Sequence, residues 1–400
     1  MLIAPGPAFS YSVLAHESMI DEAWDDLIAP MLKARFGAAD AETIKNARAF
    51  AYGGSAVQDL GYYPFGSHFF TNLLHYTRSG DFVEALIRDA RDANEYAFAL
   101  GALAHYTADT TGHPLAVNRA VPIMYPKLRA RFGDEVTYVE DPKSHVMVEF
   151  AFDVVQVANG AYLPQAYHDF IGFQVATDLL ERAFQDTYGV EMKDVFFSED
   201  LAIGTFRYAV GTTIPQITQV AWEKKRSDIE KLHPNVDRSK FVYTYKRSQY
   251  EKDFGSSYKR PGVFARVFVW IVRVMPKIGP FKALAFKAPT PEAERLFTES
   301  FKTARERYRA RLEAVRGNSL NLGNADFDTG QPTMRGEYPL ADETYNELLG
   351  RLASKKPGEV PDAMRADIMR FYGTVDASKA SDKKQRKELE KIKKELAMLE

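Results

Sequence analysis

The chain has no cysteine in 400 residues. That removes disulfides, thiolate metal sites and cysteine nucleophiles together. Any metal site must then use His, Asp and Glu, a donor set that suits zinc in an open arrangement. Long apolar runs are lacking as well. The densest block is VFVWIV at 267–272, far short of the ~20 apolar residues of a membrane span. Neither sign of charge dominates: the net charge is −2 and the pI about 6.5, so the chain as a whole is no polyanion binder. Strand-like alternation is scarce, and there is no internal repeat. What remains, a 46% hydrophobic and 13% aromatic composition, is enough for the core of a soluble globular protein.

Helical periodicity fills the space that strands leave empty. Apolar residues recur at a period near 3.6 over roughly 17–35, 81–111, 144–159, 165–187, 201–231, 261–275, 291–316, 340–353 and 361–372. Gly and Pro punctuate the ends, as in TTGHP after the 92–111 segment. An all-α, multi-helix bundle with long loops is the expected architecture. We expect an N-terminal arm or truncated signal remnant at 1–10, a helical domain at 11–235, a helical extension at 236–375 and a charged helix or tail at 376–400. Residues 317–339, rich in Gly, Asn and Asp, read as a long surface loop.

The eight histidines are unevenly spent, six of them between 16 and 145. In ALAHYTADTTGHPLAVN, residues 102–118, His105, Asp109 and His113 fall at four-residue intervals. Residues four apart share a helix face, with Cβ atoms roughly 6 Å apart. His145 and Glu149 in SHVMVEF repeat the pairing. His68 and His75 flank FFTNLL, Asp59 sits in the glycine-bearing GGSAVQDLGYYP, and His16 stands near the N-terminus. A single His or Asp on a helix is usually a buried, hydrogen-bonded residue; two imidazole–carboxylate pairs together point to a multinuclear metal site. His168 and His233 lie outside these patterns and read as structural or surface residues.

The order His, Asp, His, His-x-x-x-Asp-x-x-x-His, His-x-x-x-Glu resembles the zinc-dependent phospholipase C family, whose helical trinuclear fold is shared by single-strand-specific nucleases and 3′-nucleotidases. The matching residues span roughly 11–150. The resemblance implies three Zn²⁺ ions. One would be held by Asp59, His75, His105 and Asp109, with His68 a second choice for His75. Another would take His113, His145 and Glu149. The third would use Tyr11, through its amine and carbonyl, with His16 and a bridging Asp109. Family members usually begin with Trp, so Tyr11 is a departure. Ala8-x-Ser10 resembles a signal-peptidase site, and cleavage there would expose Tyr11. A secreted or periplasmic location follows from the same resemblance.

Clustered zinc ions generate a nucleophile near neutral pH and clamp an in-line displacement at phosphorus. The expected reaction is phospholipase C cleavage of glycerophospholipids to diacylglycerol and a phosphorylated head group by a metal-bound hydroxide, with Asp59 as general base. Tyr62, Tyr63 and Phe65 in GYYPFGSHFF are candidate substrate-binding aromatics. Residues 258–287 carry seven Lys or Arg and no acid around aromatic and branched residues, a pattern suited to peripheral contact with a membrane surface. Cleavage of nucleic acid at the same site is the alternative activity, and a non-enzymatic, zinc-containing membrane binder the alternative class. His-x-x-x-Glu at the second zinc favours the phospholipase branch, since the nucleases tend to place Asp there.

Overall fold

The computed structural model describes residues 13–37, 40–159, 174–208, 287–356, 358–373 and 382–399. Tyr11, the 1–10 arm, His168, His233, the expected boundary near 235 and all of 258–287 except Lys287 lie outside them. No strand occurs among the described residues; a single bridge joins Ala325 to Pro332. The protein is an all-α, multi-helix fold. No described helix is long and apolar enough to cross a membrane.

The N-terminal part runs α1 (Val13–Ala23), a π turn (Trp24–Ile28), α2 (Ala29–Phe36), α3 (Ala41–Gly54), a 3₁₀ turn (Val57–Tyr62), α4 (His68–Tyr76) and α5 (Ser79–Asp89). It continues with α6 (Ala93–Gly112), a second π turn (His113–Val117), α7 (Asn118–Met124), α8 (Pro126–Phe132) and α9 (Pro142–Asn159). Beyond these lie α10 (Thr177–Tyr188), α11 (Glu199–Tyr208), α12 (Pro291–Arg316), α13 (Pro339–Leu352), α14 (Asp362–Tyr372) and α15 (Lys383–Leu396).

The periodic stretch 81–111 holds two helices, the second starting at the expected place near Asp92. Asp92 separates them: its backbone is extended and its carboxylate accepts from Glu95 N, capping α6. Such a cap is worth about 1 kcal/mol. The helices at 41–54 and 68–76 escaped the periodicity reading, because glycines and a proline crowd residues 53–66 and hide the elements on either side.

α6 is the central element. Its sequence ANEYAFALGALAHYTADTTG is buried on nearly every side, as expected of a helix without a polar face. Small residues permit the packing. A β-carbon at Gly54 would collide with the Phe98 carbonyl oxygen of α6, and one at Gly101 with the Ala51 carbonyl oxygen of α3. These two glycines let the α3 and α6 backbones touch. On another side α12 seals α6: Tyr308 Oη donates to the Leu100 carbonyl at 3.0 Å, and Arg311 donates to Thr107 Oγ1 at 2.7 Å.

One apolar cluster runs from Val13 through α6 to Leu312, Leu352 and Leu399. The C-terminal helices therefore share a core with the N-terminal ones rather than forming a separate extension. α15 docks through buried Ile392 and Leu396. Residues 317–339 are a loop with much of its length exposed, as expected, but its middle is buried. Asp326, Phe327 and Asp328 are at most 2% exposed, the segment turning inward against α4, α5 and α6. Its Gly, Asn and Asp content reflects tight turning, and fully buried Phe327 is its anchor.

Candidate metal centre

Six elements deliver the histidines and carboxylates. α6 carries His105 and Asp109 one turn apart, and the π turn that follows starts at His113. α9 presents His145 and Glu149. α4 supplies His75 near its C-terminus, and the 3₁₀ turn supplies Asp59. That turn is tied down on two sides. Thr71 Oγ1 bridges Gln58 O and Gly61 N, each at 2.8 Å, while Gln58 Nε2 donates to Ala102 O at 3.0 Å. α1 supplies His16, and its start is fixed by Asp153, whose carboxylate accepts from Leu14 N and Ala15 N at 3.2 Å.

The eight described residues expected at the site converge, and none is more than 3% exposed. His105 Nε2 lies 3.0 Å and His16 Nε2 3.4 Å from Asp109. His75 Nε2 lies 3.4 Å from Asp59 and 3.9 Å from Asp109. His113 Nε2 is 3.9 Å from Asp109 and 3.4 Å from Glu149, which His145 Nδ1 approaches to 2.8 Å. Asp109 sits in the middle, facing His16, His75, His105 and His113 at once. His68 is exposed at the start of α4 and stacks edge-on against Tyr62; His75 is the residue brought to the carboxylates.

The outward ring nitrogens are engaged too. His75 Nδ1 donates to Thr71 O and His105 Nδ1 to Ser55 O, both at 2.9 Å. His145 Nε2 meets Asn118 Oδ1 at 3.0 Å. A hydrogen bond on one ring nitrogen leaves the other's lone pair for a metal. Inside the cage, the buried Nε2 atoms of His75 and His113 have no hydrogen-bond partner. Buried polar atoms are normally satisfied, so these orphans and the His/carboxylate donor set fit divalent zinc. Three sets of donor atoms lie close enough to hold an ion: His16 with His105 and Asp109, Asp59 with His75 and His105, and His113 with His145 and Asp328.

Asp328 was not anticipated. It lies on the inward-turned 317–339 segment, with its Oδ1 3.1 Å from His113 Nδ1. Nothing in the local spacing marks it, since it is more than 200 residues from its partner. The only signal was a density of Asp and Asn around one aromatic in GNADFDTG.

The charges hold one another in register. Burial pushes Asp109 up, yet the imidazoles of His105, His113 and His16 outweigh it and hold its carboxyl well below the usual range. Burial disfavours a charged His105, but Asp109 and Asp59 raise it to about 9. His113 is raised for the same reason, mainly by Asp109. His145 differs: burial and the neighbouring His113 take it down to about 3, so its ring is neutral and ready as a ligand.

The cage borders a small pocket lined by Tyr62, His75, His113, Tyr138, His145, Glu149 and Asp328. Of the expected substrate aromatics only Tyr62 lines it. Tyr63 is buried with its ring edge-on to Phe206 at 5.0 Å, because a residue and its neighbour in a tight turn face different ways. Phe65 marks a left-handed turn at φ 64° and does not line the pocket.

A buried cage of imidazoles and carboxylates in an all-α fold, beside a small pocket, defines a helical protein built around a candidate metal centre. Residues 15–198 match the family model of the zinc dependent phospholipase C proteins. Over this segment, a little under half of the chain, the protein is similar to the zinc-dependent phospholipase C family. His16, Asp59, His75, His105, Asp109, His113, His145 and Glu149 all fall inside it, and Asp328 falls outside. Searches of curated proteins and of solved structures found no match.

Proposed function

We propose that this protein hydrolyses the phosphodiester bond of glycerophospholipids, releasing diacylglycerol and a phosphorylated head group. The observation that supports this most is the convergence of five imidazoles and three carboxylates of the matched segment within one buried cage beside a small pocket. Three Zn²⁺ ions are the proposed complement. Asp59, His75, His105 and Asp109 would hold the first, His113, His145 and Glu149 the second, and His16 and Asp109, with the Tyr11 terminus, the third. When bound, zinc supplies an activated water near neutral pH and offsets charge on the phosphoryl oxygens.

The residues of the chain do the rest. None of the described pocket-lining residues is Lys or Arg, so the walls carry no cation to hold a phosphate. Tyr62 and Tyr138, with ring centroids 6.2 Å apart, form an aromatic wall with hydroxyls for the polar part of a lipid. Burial, helped by the charges of Asp59, Asp328 and Glu149, raises both phenols above their usual range, so they stay protonated donors. Asp59, on its braced turn beside His75 and His105, is the proposed general base for the attacking water. Removal of residues 1–10, exposing Tyr11, and export from the cytoplasm belong to the same reading. The mass of the mature chain tests that part.

The direct test offers the purified protein phosphatidylcholine vesicles and single-stranded DNA, with and without a zinc chelator. Chelator-sensitive release of diacylglycerol is the expected result. DNA cleavage without lipid turnover would move the site to a nuclease role, and vesicle binding without turnover to a non-enzymatic one.

A further inference from the structure

We propose that Asp328 is a positioning residue of the metal centre, so that a segment outside the matched residues 15–198 completes the site. The inference rests on the metal-binding reading above. Residues 323–338 form a strap clasped across α4, α5 and α6. Tyr106 Oη donates to Gly323 O at 2.7 Å, Ser79 Oγ donates to Ala325 O at 2.6 Å, and Phe327 N donates to His75 O at 3.2 Å. The Phe327 ring lies 4.8 Å from that of His75 and 5.9 Å from that of His105. Gly330 comes so close to Thr110 O and Pro114 that a β-carbon there would crowd them.

The strap delivers one carboxylate in a defined orientation. Tyr76 Oη and Tyr338 Oη both donate to Asp328 Oδ2 at 2.7 Å. Its other oxygen therefore faces His113 Nδ1 at 3.1 Å. A carboxylate can only accept, so Nδ1 carries the hydrogen and the Nε2 lone pair points at Glu149 and the pocket. Carbonyl oxygens do the same for His75 and His105, but a charged partner adds basicity to the ligand as well as orientation.

The strap acts on a second histidine through Asn118. The Asn118 side-chain nitrogen donates to the Asp328 carbonyl at 2.7 Å, which turns its Oδ1 toward His145 Nε2 at 3.0 Å. His145 is thereby left with Nδ1 toward Glu149. Two imidazoles of one candidate ion site thus take their tautomers from a segment about 200 residues away.

The test is competition between a chromogenic chelator and the full-length protein for zinc, with the cobalt(II)-substituted protein as a spectroscopic probe. Asp328→Asn is expected to weaken one zinc roughly 10- to 100-fold and to change the visible cobalt spectrum, with helical circular dichroism and the other ions unaffected. Tyr338→Phe, which removes one donor to Oδ2, is expected to shift both readouts the same way by a few-fold. A folded Asp328→Asn protein with wild-type zinc affinity and an unchanged cobalt spectrum overturns the proposal. If Asp328→Asn does not fold, unchanged zinc affinity in Tyr338→Phe overturns it instead. Wild-type protein that takes up no zinc overturns the metal reading itself, a result separable from failure of the Asp328 role alone.

Discussion

The two walls of the metal centre are made differently. The wall from α4, α6 and α9 is written in short range: His105 and Asp109, then His145 and Glu149, are each one helical turn apart, and a helix places them together wherever it forms. The strap wall is written in long range. Asp328 meets His113 only because Phe327, Tyr76, Tyr338 and Asn118 all close around it. Local spacing thus supplies the donors, and tertiary packing decides how their rings are aimed. A search for ligands along the chain finds the first kind of residue and misses the second.

The largest expected effect breaks the short-range wall at its centre. Asp109→Asn removes the carboxylate that faces four imidazoles, leaving buried His105 and His113 without their counter-charge. Lipid hydrolysis should fall by roughly 10³-fold, with loss of bound metal; full activity in a diacylglycerol-release assay would exclude Asp109 from the centre.

Proton competition sharpens the same comparison. In the metal-free protein His105 keeps its proton up to about 9, and it must shed that proton to bind an ion. Apparent zinc affinity should therefore rise as pH increases from 7 to 9, by about tenfold per unit, and flatten above 9. Chelator competition across that range checks the sign, and affinity that falls with rising pH contradicts it.

Smaller effects concern the scaffold behind the wall. Gly101→Ala pushes a methyl into the Ala51 carbonyl and should destabilise the fold by about 1–3 kcal/mol, read from urea unfolding at fixed zinc. Asp92→Ala removes the α6 cap and should cost about 1 kcal/mol with little change in zinc affinity. A large loss of metal from Asp92→Ala would mean that α6 is less firmly held by its packing than its burial implies.

How much was legible follows from the same division. The helical fold was readable because apolar residues recur at a helical period, and the helix start near Asp92 was legible although periodicity carries across the cap. His105, Asp109 and His113, and His145 with Glu149, stood out because histidine is rare here and sits at helical spacing; Asp59, His75 and His16 were marked as candidates by the family resemblance, and the structure brings all eight together. Asp328 was not legible, since its role depends on a contact between residues far apart in the chain. The loop at 317–339 was legible but its buried centre at 325–328 was not, because turn-forming residues serve a buried strap as well as an exposed loop. Tyr62 and Tyr63 show the limit of reading side by side residues as one surface: the first lines the pocket and the second packs on Phe206.

The most direct measurement is the metal content of the purified protein beside its Asp109→Asn variant. Close to three zinc ions per chain, falling in the variant, is the predicted result. Zero or one zinc in the wild-type protein would make the converging histidines and carboxylates a structural polar cluster, and the phosphodiesterase reading would be abandoned.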